Sequence, residues 1–107
     1  MNKNKLTLGE KCIQIYPNKI PIIVNLKNIN VTNFNNKFLV ENDIEMSYVL
    51  VIIRRKIRIA HNESLCMFIG NNLVDSPDLV STFYSKYKNQ NDGCLHITVC
   101  KQNIFGK

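Results

Sequence analysis

The 107-residue chain is 45% hydrophobic and 21% charged, with a formal net charge of +6. Such a composition excludes disorder, and the length suffices for a core without metal or disulfide support, so a folded, soluble protein is expected. The longest apolar run, 48–53, falls far short of the ~18 residues that suggest a membrane-spanning helix.

Leu6, Leu8, Cys12, Ile13 and Ile15 suit a short helix over 6–15, which Pro17 ends. Gly9 weakens that helix by about 1 kcal/mol relative to alanine. The β-branched run 20–24 reads as a strand, and Pro21 restricts its beginning to a sheet edge or a strand's first residues. An asparagine-rich connection, 27–36, leads to a second strand over 37–40, and the two strands form a hairpin. Asp43 is placed to cap a helix whose apolar residues Met46, Val49, Leu50, Ile53 and Ile57 share one face. Arg54, Arg55, Lys56 and Arg58 crowd its C-terminal end, where the helix dipole favours cations. A third strand covers 66–69, followed by a turn at 70–72 and a short extension at 73–74. Ser76-Pro77 reads as a helix start, with Ser76 as cap and Pro77 at the first helical position. Leu79, Val80, Phe83, Tyr84 and Tyr87 then recur at helical spacing to Lys88. Asn91-Asp92-Gly93 turns the chain into a final strand over 94–100.

The order helix, strand, strand, helix, strand, helix, strand predicts an α+β fold of the ubiquitin-like β-grasp type with one short N-terminal helix, in a single domain over 1–107. In that fold the last strand is central, pairs in parallel with the first, and carries 104–107 outward as a flexible tail. Gly106 in that tail has no Cβ, so its carbonyl is open to attack and its backbone fits a narrow enzyme channel. Removal of Lys107 would leave Gly106 a free carboxylate, ready for activation and transfer to an amine.

Cys12, Cys66, Cys94 and Cys100 show no CxxC spacing and follow no secretory leader, so they read as reduced thiols in an intracellular protein. Cys100 is not fourth from the end and Asn2 follows Met1, which excludes prenylation and myristoylation. The positive charge suits nucleic acid, acidic lipid or acidic peptide, although heavy use of Lys, Asn and Ile also fits nucleotide bias in the gene. No aromatic-rich strand motif accompanies the cluster at 54–58, so no nucleic-acid partner is expected. His61 and His96 are too few and too far apart for a metal, and no local motif pairs either with a cysteine. Neither catalysis nor a cofactor is expected.

Tyr16-Pro17-Asn18-Lys19-Ile20-Pro21-Ile22-Ile23, Lys37-Phe38-Leu39-Val40, Ile53-Arg54-Arg55-Lys56-Ile57, Phe68-Ile69-Gly70-Asn71-Asn72, the run 84–88, Asp92-Gly93 and Phe105-Gly106 occur in this order. On these blocks the chain resembles, over roughly 8–107, the autophagy ubiquitin-like modifiers, the family of GABARAP and microtubule-associated protein light chain 3. That resemblance implies trimming by a dedicated cysteine protease between Gly106 and Lys107, beside Phe105. It implies passage as a thioester through activating and conjugating enzymes, then attachment to phosphatidylethanolamine. The product would be a monomeric cytoplasmic protein, lipid-anchored on autophagosomal or other vesicle membranes, that recruits cargo receptors bearing aromatic-x-x-aliphatic motifs. By resemblance Pro21, Ile23, Lys37, Leu39 and Cys94 line the aromatic pocket and Phe38, Val40, Ile44, Val49 and Ile52 the aliphatic one. Lys19, Lys37 and Lys56 would meet acidic residues flanking the motif.

The chain also departs from the family pattern. Members carry two helices ahead of the Tyr-Pro block, whereas fifteen residues precede Tyr16 here, so the first helix is expected to be missing. Cys94 stands in place of an aromatic residue, Val49 where a larger aromatic is common, Glu41 for proline and Lys56 for arginine, which loses the guanidinium fork. Reshaped pockets are expected. The competing reading is a ubiquitin-fold peptide-binding module that is never conjugated.

Overall fold

Thr7 opens the first helix of the computed structural model, which describes residues 5–60 and 63–102. The Thr7 hydroxyl accepts from the Glu10 N–H at 3.1 Å while the Glu10 carboxylate accepts from the Thr7 N–H at 2.9 Å, a reciprocal capping box. Helix α1 therefore runs Leu8–Ile15 and starts two residues later than its apolar pattern suggests.

Strand β1 (Lys19–Lys27) and strand β2 (Lys37–Glu41) form the expected antiparallel hairpin, in a register that sets Lys19 opposite Glu41, Pro21 opposite Leu39 and Ile23 opposite Lys37. β1 extends three residues past Val24 because its other edge pairs in parallel with β5 (Leu95–Lys101), from Ile22 beside Leu95 to Lys27 beside Cys100. Strand β3 (Leu65–Ile69) lies antiparallel to β5, and the two-residue β4 (Asn72–Leu73) folds back on β3. The order β2-β1-β5-β3-β4 puts the last strand at the centre and leaves β2 at one edge.

Alternation along the strands gives the sheet two faces. Ile20, Ile22 and Val24 of β1, Leu95, Ile97 and Val99 of β5, and Met67 and Ile69 of β3 are buried against helix α2 (Met46–Ile57). α2 contributes Met46, Val49, Ile53 and Ile57 at the expected helical spacing, while Leu50 is only half-buried. Helix α3 (Val80–Tyr87) closes the same core with Val80 and Tyr84. α1 packs on the opposite face, against β1 and the turn before β5.

Two expected caps are corrected. α2 starts at Met46 with Glu45 in the cap position, not Asp43, because the Met46 N–H donates to the Asp78 carbonyl and the Ser47 N–H to that of Ser76. α3 starts at Val80, not at Pro77. Ser76 Oγ accepts from the Asp78 N–H in a local turn, and the Val80 N–H donates to the Ile44 carbonyl. The segments leading into the two helices thus satisfy each other's backbone donors across an isolated bridge between Glu45 and Leu79.

Candidate functional site

β2 is bonded to β1 on one side only, and among the described residues no strand pairs with its other edge. Such an edge presents unpaired backbone N–H and C=O groups that accept one more strand. Its side chains alternate: Phe38 and Val40 point to the core face, Lys37 and Leu39 to the face that carries α1.

Beside that second face lies a cleft of about 220 Å³ lined by Leu8 and Cys12 of α1, Pro21, Ile22 and Ile23 of β1, Lys37, Phe38 and Leu39 of β2, and Cys94. The sequence-predicted set Pro21, Ile23, Lys37, Leu39 and Cys94 is brought together around one space. Its size suits a single large side chain, not a whole cofactor. Leu8 and Cys12 are lining residues that sequence reasoning missed. The amphipathic spacing of α1 was visible, but which face of the sheet it would cover was not. Burial pushes the Cys94 thiol up to about 11, with Asp92 and Cys12 adding to the effect and Lys37 opposing it. Cys94 is therefore an un-ionised, apolar wall, and Lys37 supplies the positive rim.

The second predicted set divides by depth. Phe38, Ile44 and Ile52 are half-buried and pack on the edge of the core. Val40 and Val49 are 4% and 0% exposed, so they are core residues beneath that surface. Lys56 Nζ sits 4.8 Å from the centre of the Phe38 ring, a cation held over an aromatic face beside β2. Lys19 is engaged already: its ammonium pairs with Glu41 across the β1–β2 ladder. Glu41 thus neutralises one of the three lysines expected to meet acidic side chains.

His96 Nε2 lies 2.7 Å from Asp92 Oδ2, so its partner is a carboxylate and not a cysteine. Burial raises the Asp92 carboxyl, but the Cys94 N–H and the His96 ring more than compensate and hold it below the usual range. Among the described residues no group of three or more His, Cys, Asp or Glu side chains is placed to hold a metal, and no helix is long and apolar enough to cross a membrane. Phe105, Gly106, Lys107 and His61 lie outside the described residues.

A family model described as autophagy protein Atg8 ubiquitin like matches residues 4–106. The chain belongs to the Atg8 family. Autophagy-related protein 8e of Arabidopsis thaliana is 32% identical over 93 residues, covering 85% of this chain and 75% of the plant protein. Autophagy-related protein 8 of Schizosaccharomyces pombe is 29% identical over 107 residues, covering 97% of this chain and 87% of the yeast protein. Among solved structures, Trypanosoma brucei ATG8 superposes with a TM-score of 0.74 at 21% identity, over 88% of this chain and 82% of that one. Plasmodium falciparum Atg8, solved in complex with a Plasmodium falciparum Atg3 peptide, gives 0.72 at 22% identity, over 88% and 87%. At those identities the structures establish the ubiquitin-like α+β fold. The family match makes this Atg8-family chain one of the autophagy ubiquitin-like modifiers.

Proposed function

We propose that this chain is a lipid-conjugated autophagy modifier whose reactive group is the carboxylate of Gly106. A dedicated cysteine protease removes Lys107, and activating and conjugating enzymes then carry Gly106 as a thioester. The amine of phosphatidylethanolamine attacks the thioester carbonyl, the enzyme thiol leaves, and an amide remains. Gly106 is the substrate of these enzymes, and residues 104–107 serve as the conjugation tail of one domain. The family match through residue 106 carries this reading, since it takes in a glycine with no Cβ to hinder attack.

The two acyl chains gained dominate membrane affinity, at about 0.8 kcal/mol per buried CH₂ against about 1 kcal/mol for each Lys or Arg near an anionic surface. Basic residues tune docking and cannot replace the anchor. The anchored protein resides on the cytoplasmic side of autophagosomal or other vesicle membranes.

Its second role is as an adaptor. An aromatic-x-x-aliphatic peptide adds a strand to the free edge of β2, with its aromatic residue in the cleft between α1 and the hairpin and its aliphatic residue against Phe38, Ile44 and Ile52. Two anchors worth about 1.5–3 kcal/mol each and a few edge hydrogen bonds give moderate affinity once ordering costs are met. The Plasmodium falciparum Atg8 structure, solved with an Atg3 peptide, supports peptide recognition by a protein of this fold.

Incubation with the activating and conjugating enzymes and phosphatidylethanolamine vesicles tests the first role, read by intact mass. Peptide titration tests the second. Peptide binding without any conjugate would favour the non-conjugated module.

A further inference from the structure

Cys66 and Cys100 face each other across the β3–β5 ladder as direct register partners, and their sulfurs lie 3.3 Å apart. Both side chains are half-buried on the face of the sheet turned away from α2, alternating with the core residues Leu65, Met67 and Val99. Directly opposed residues of an antiparallel pair have Cα atoms about 4.5–5.5 Å apart, inside the range that a disulfide spans. Closing the bond to about 2.0 Å thus needs side-chain rotation and little backbone movement. Cys12 and Cys94 flank the cleft of the candidate site, in a separate part of the molecule.

We propose that Cys66 and Cys100 are a built dithiol site that closes reversibly into a cross-strand disulfide, with a low-molecular-weight disulfide as the oxidant. One protein thiolate attacks the small disulfide, forming a mixed disulfide and releasing one small thiolate. The second protein thiolate attacks the protein-bound sulfur and expels the other. Two protein thiols are oxidised, the small disulfide is reduced to two thiols, and the two protons pass to those products. Burial, reinforced by contact with the Cys100 sulfur, pushes the Cys66 thiol up to about 11. Cys66 is therefore stored as a neutral thiol, and uncatalysed closure takes minutes to hours.

The link closes a loop with a sequence separation of 34 residues and staples the end of β5 to β3, next to the backbone bond from Gln102 N–H to the Ser64 carbonyl. Cys100 also lies six residues before Gly106. Oxidation thus fixes the strand from which the conjugation segment departs.

The test incubates the purified full chain with graded ratios of reduced to oxidised glutathione, blocks free thiols in denaturant with N-ethylmaleimide, and reads intact mass and peptide maps. The expected product carries two maleimides instead of four, contains a peptide linking Cys66 to Cys100, and melts roughly 5–15 °C higher than the reduced chain. Cys66→Ser and Cys100→Ser each abolish the internal link and accumulate glutathione on the remaining partner. Cys12→Ser keeps the link. Four reactive thiols at every ratio, a link through Cys12 or Cys94, or separate glutathione adducts on Cys66 and Cys100 in the wild-type chain would overturn the proposal.

Discussion

Gly9 and Gly93 meet backbone to backbone. The Gly9 N–H donates to the Asp92 carbonyl at 2.7 Å, and a Cβ built on Gly9 would run into the Gly93 carbonyl group. The Gly93 carbonyl accepts a hydrogen bond from the buried Tyr84 hydroxyl, so two successive carbonyls join α1, α3 and the entry to β5. This contact seats α1 where Leu8 and Cys12 complete the cleft.

An exposed helical Gly→Ala change usually stabilises by about 1 kcal/mol. Gly9→Ala is expected to do the reverse, costing about 1–3 kcal/mol, because the new methyl must push the turn away. Gly93→Ala is expected to cost at least as much, since its φ of 71° is left-handed and its Cβ would strike the Thr7 hydroxyl. Urea unfolding midpoints check both. A stabilised Gly9→Ala variant would mean that α1 is not seated on the turn.

Leu39→Ala is expected to weaken binding of an aromatic-x-x-aliphatic peptide by about 5–30-fold, corresponding to roughly 1–2 kcal/mol of lost burial. Lys37→Glu is expected to weaken it by about three- to tenfold, mainly through slower association, and the effect should shrink in high salt. Titration calorimetry at two salt concentrations reads both changes, with thermal melts to verify folding. Unchanged curves would remove the cleft from the binding site.

Glu41→Gln is expected to release Lys19 from its cross-strand pair. An acidic peptide should then bind about two- to threefold more tightly, while stability changes by less than about 1 kcal/mol because the pair is exposed. Tighter binding of a neutral control peptide to the same degree would point to a shape effect and not to the charge.

The Asp92 carboxyl is held below its usual range: burial raises it, and the Cys94 N–H and His96 outweigh that effect. Glu10 is lowered by the Thr7 backbone N–H. A depressed folded value contributes stability that is fully present above the ordinary carboxylate range of about 4 and is lost as pH falls through the folded value. The melting temperature is therefore expected to hold near pH 5–7 and fall below about pH 4. Asp92→Asn should lower it at neutral pH and flatten the acid fall. An unchanged acid slope in that variant would contradict the assignment.

Local pattern accounts for what the sequence revealed. The buried stripe of α2 follows from helical spacing, and the alternation of β1, β3 and β5 follows from strand period. The family blocks point to Pro21, Ile23, Lys37, Leu39 and Cys94 as one set, and these residues line a single cleft. What local pattern hid depends on contacts distant along the chain. β1 runs on to Lys27 because β5 lies beside it, and Ser76 does not cap α3 because that helix takes its entry contact from Ile44. Val40 looks like a pocket residue in a short strand, yet its place opposite Ile20 sends it into the core. The Cys66–Cys100 pairing depends on the register between β3 and β5, which no spacing within either strand encodes. The Thr7 capping box was legible in its Thr-x-x-Glu spacing, and reading it would have placed the start of α1 correctly.

The central claim is that Gly106 becomes joined to an aminophospholipid. Its most direct test is the mass of the C-terminal peptide from chain floated with membranes of its own cell, beside a Gly106→Ala variant. The expected peptide ends at Gly106, lacks Lys107 and carries phosphatidylethanolamine, with the variant left in the unfloated fraction. A floated wild-type chain that retains Lys107 and carries no lipid, or a variant that floats equally well, would contradict it.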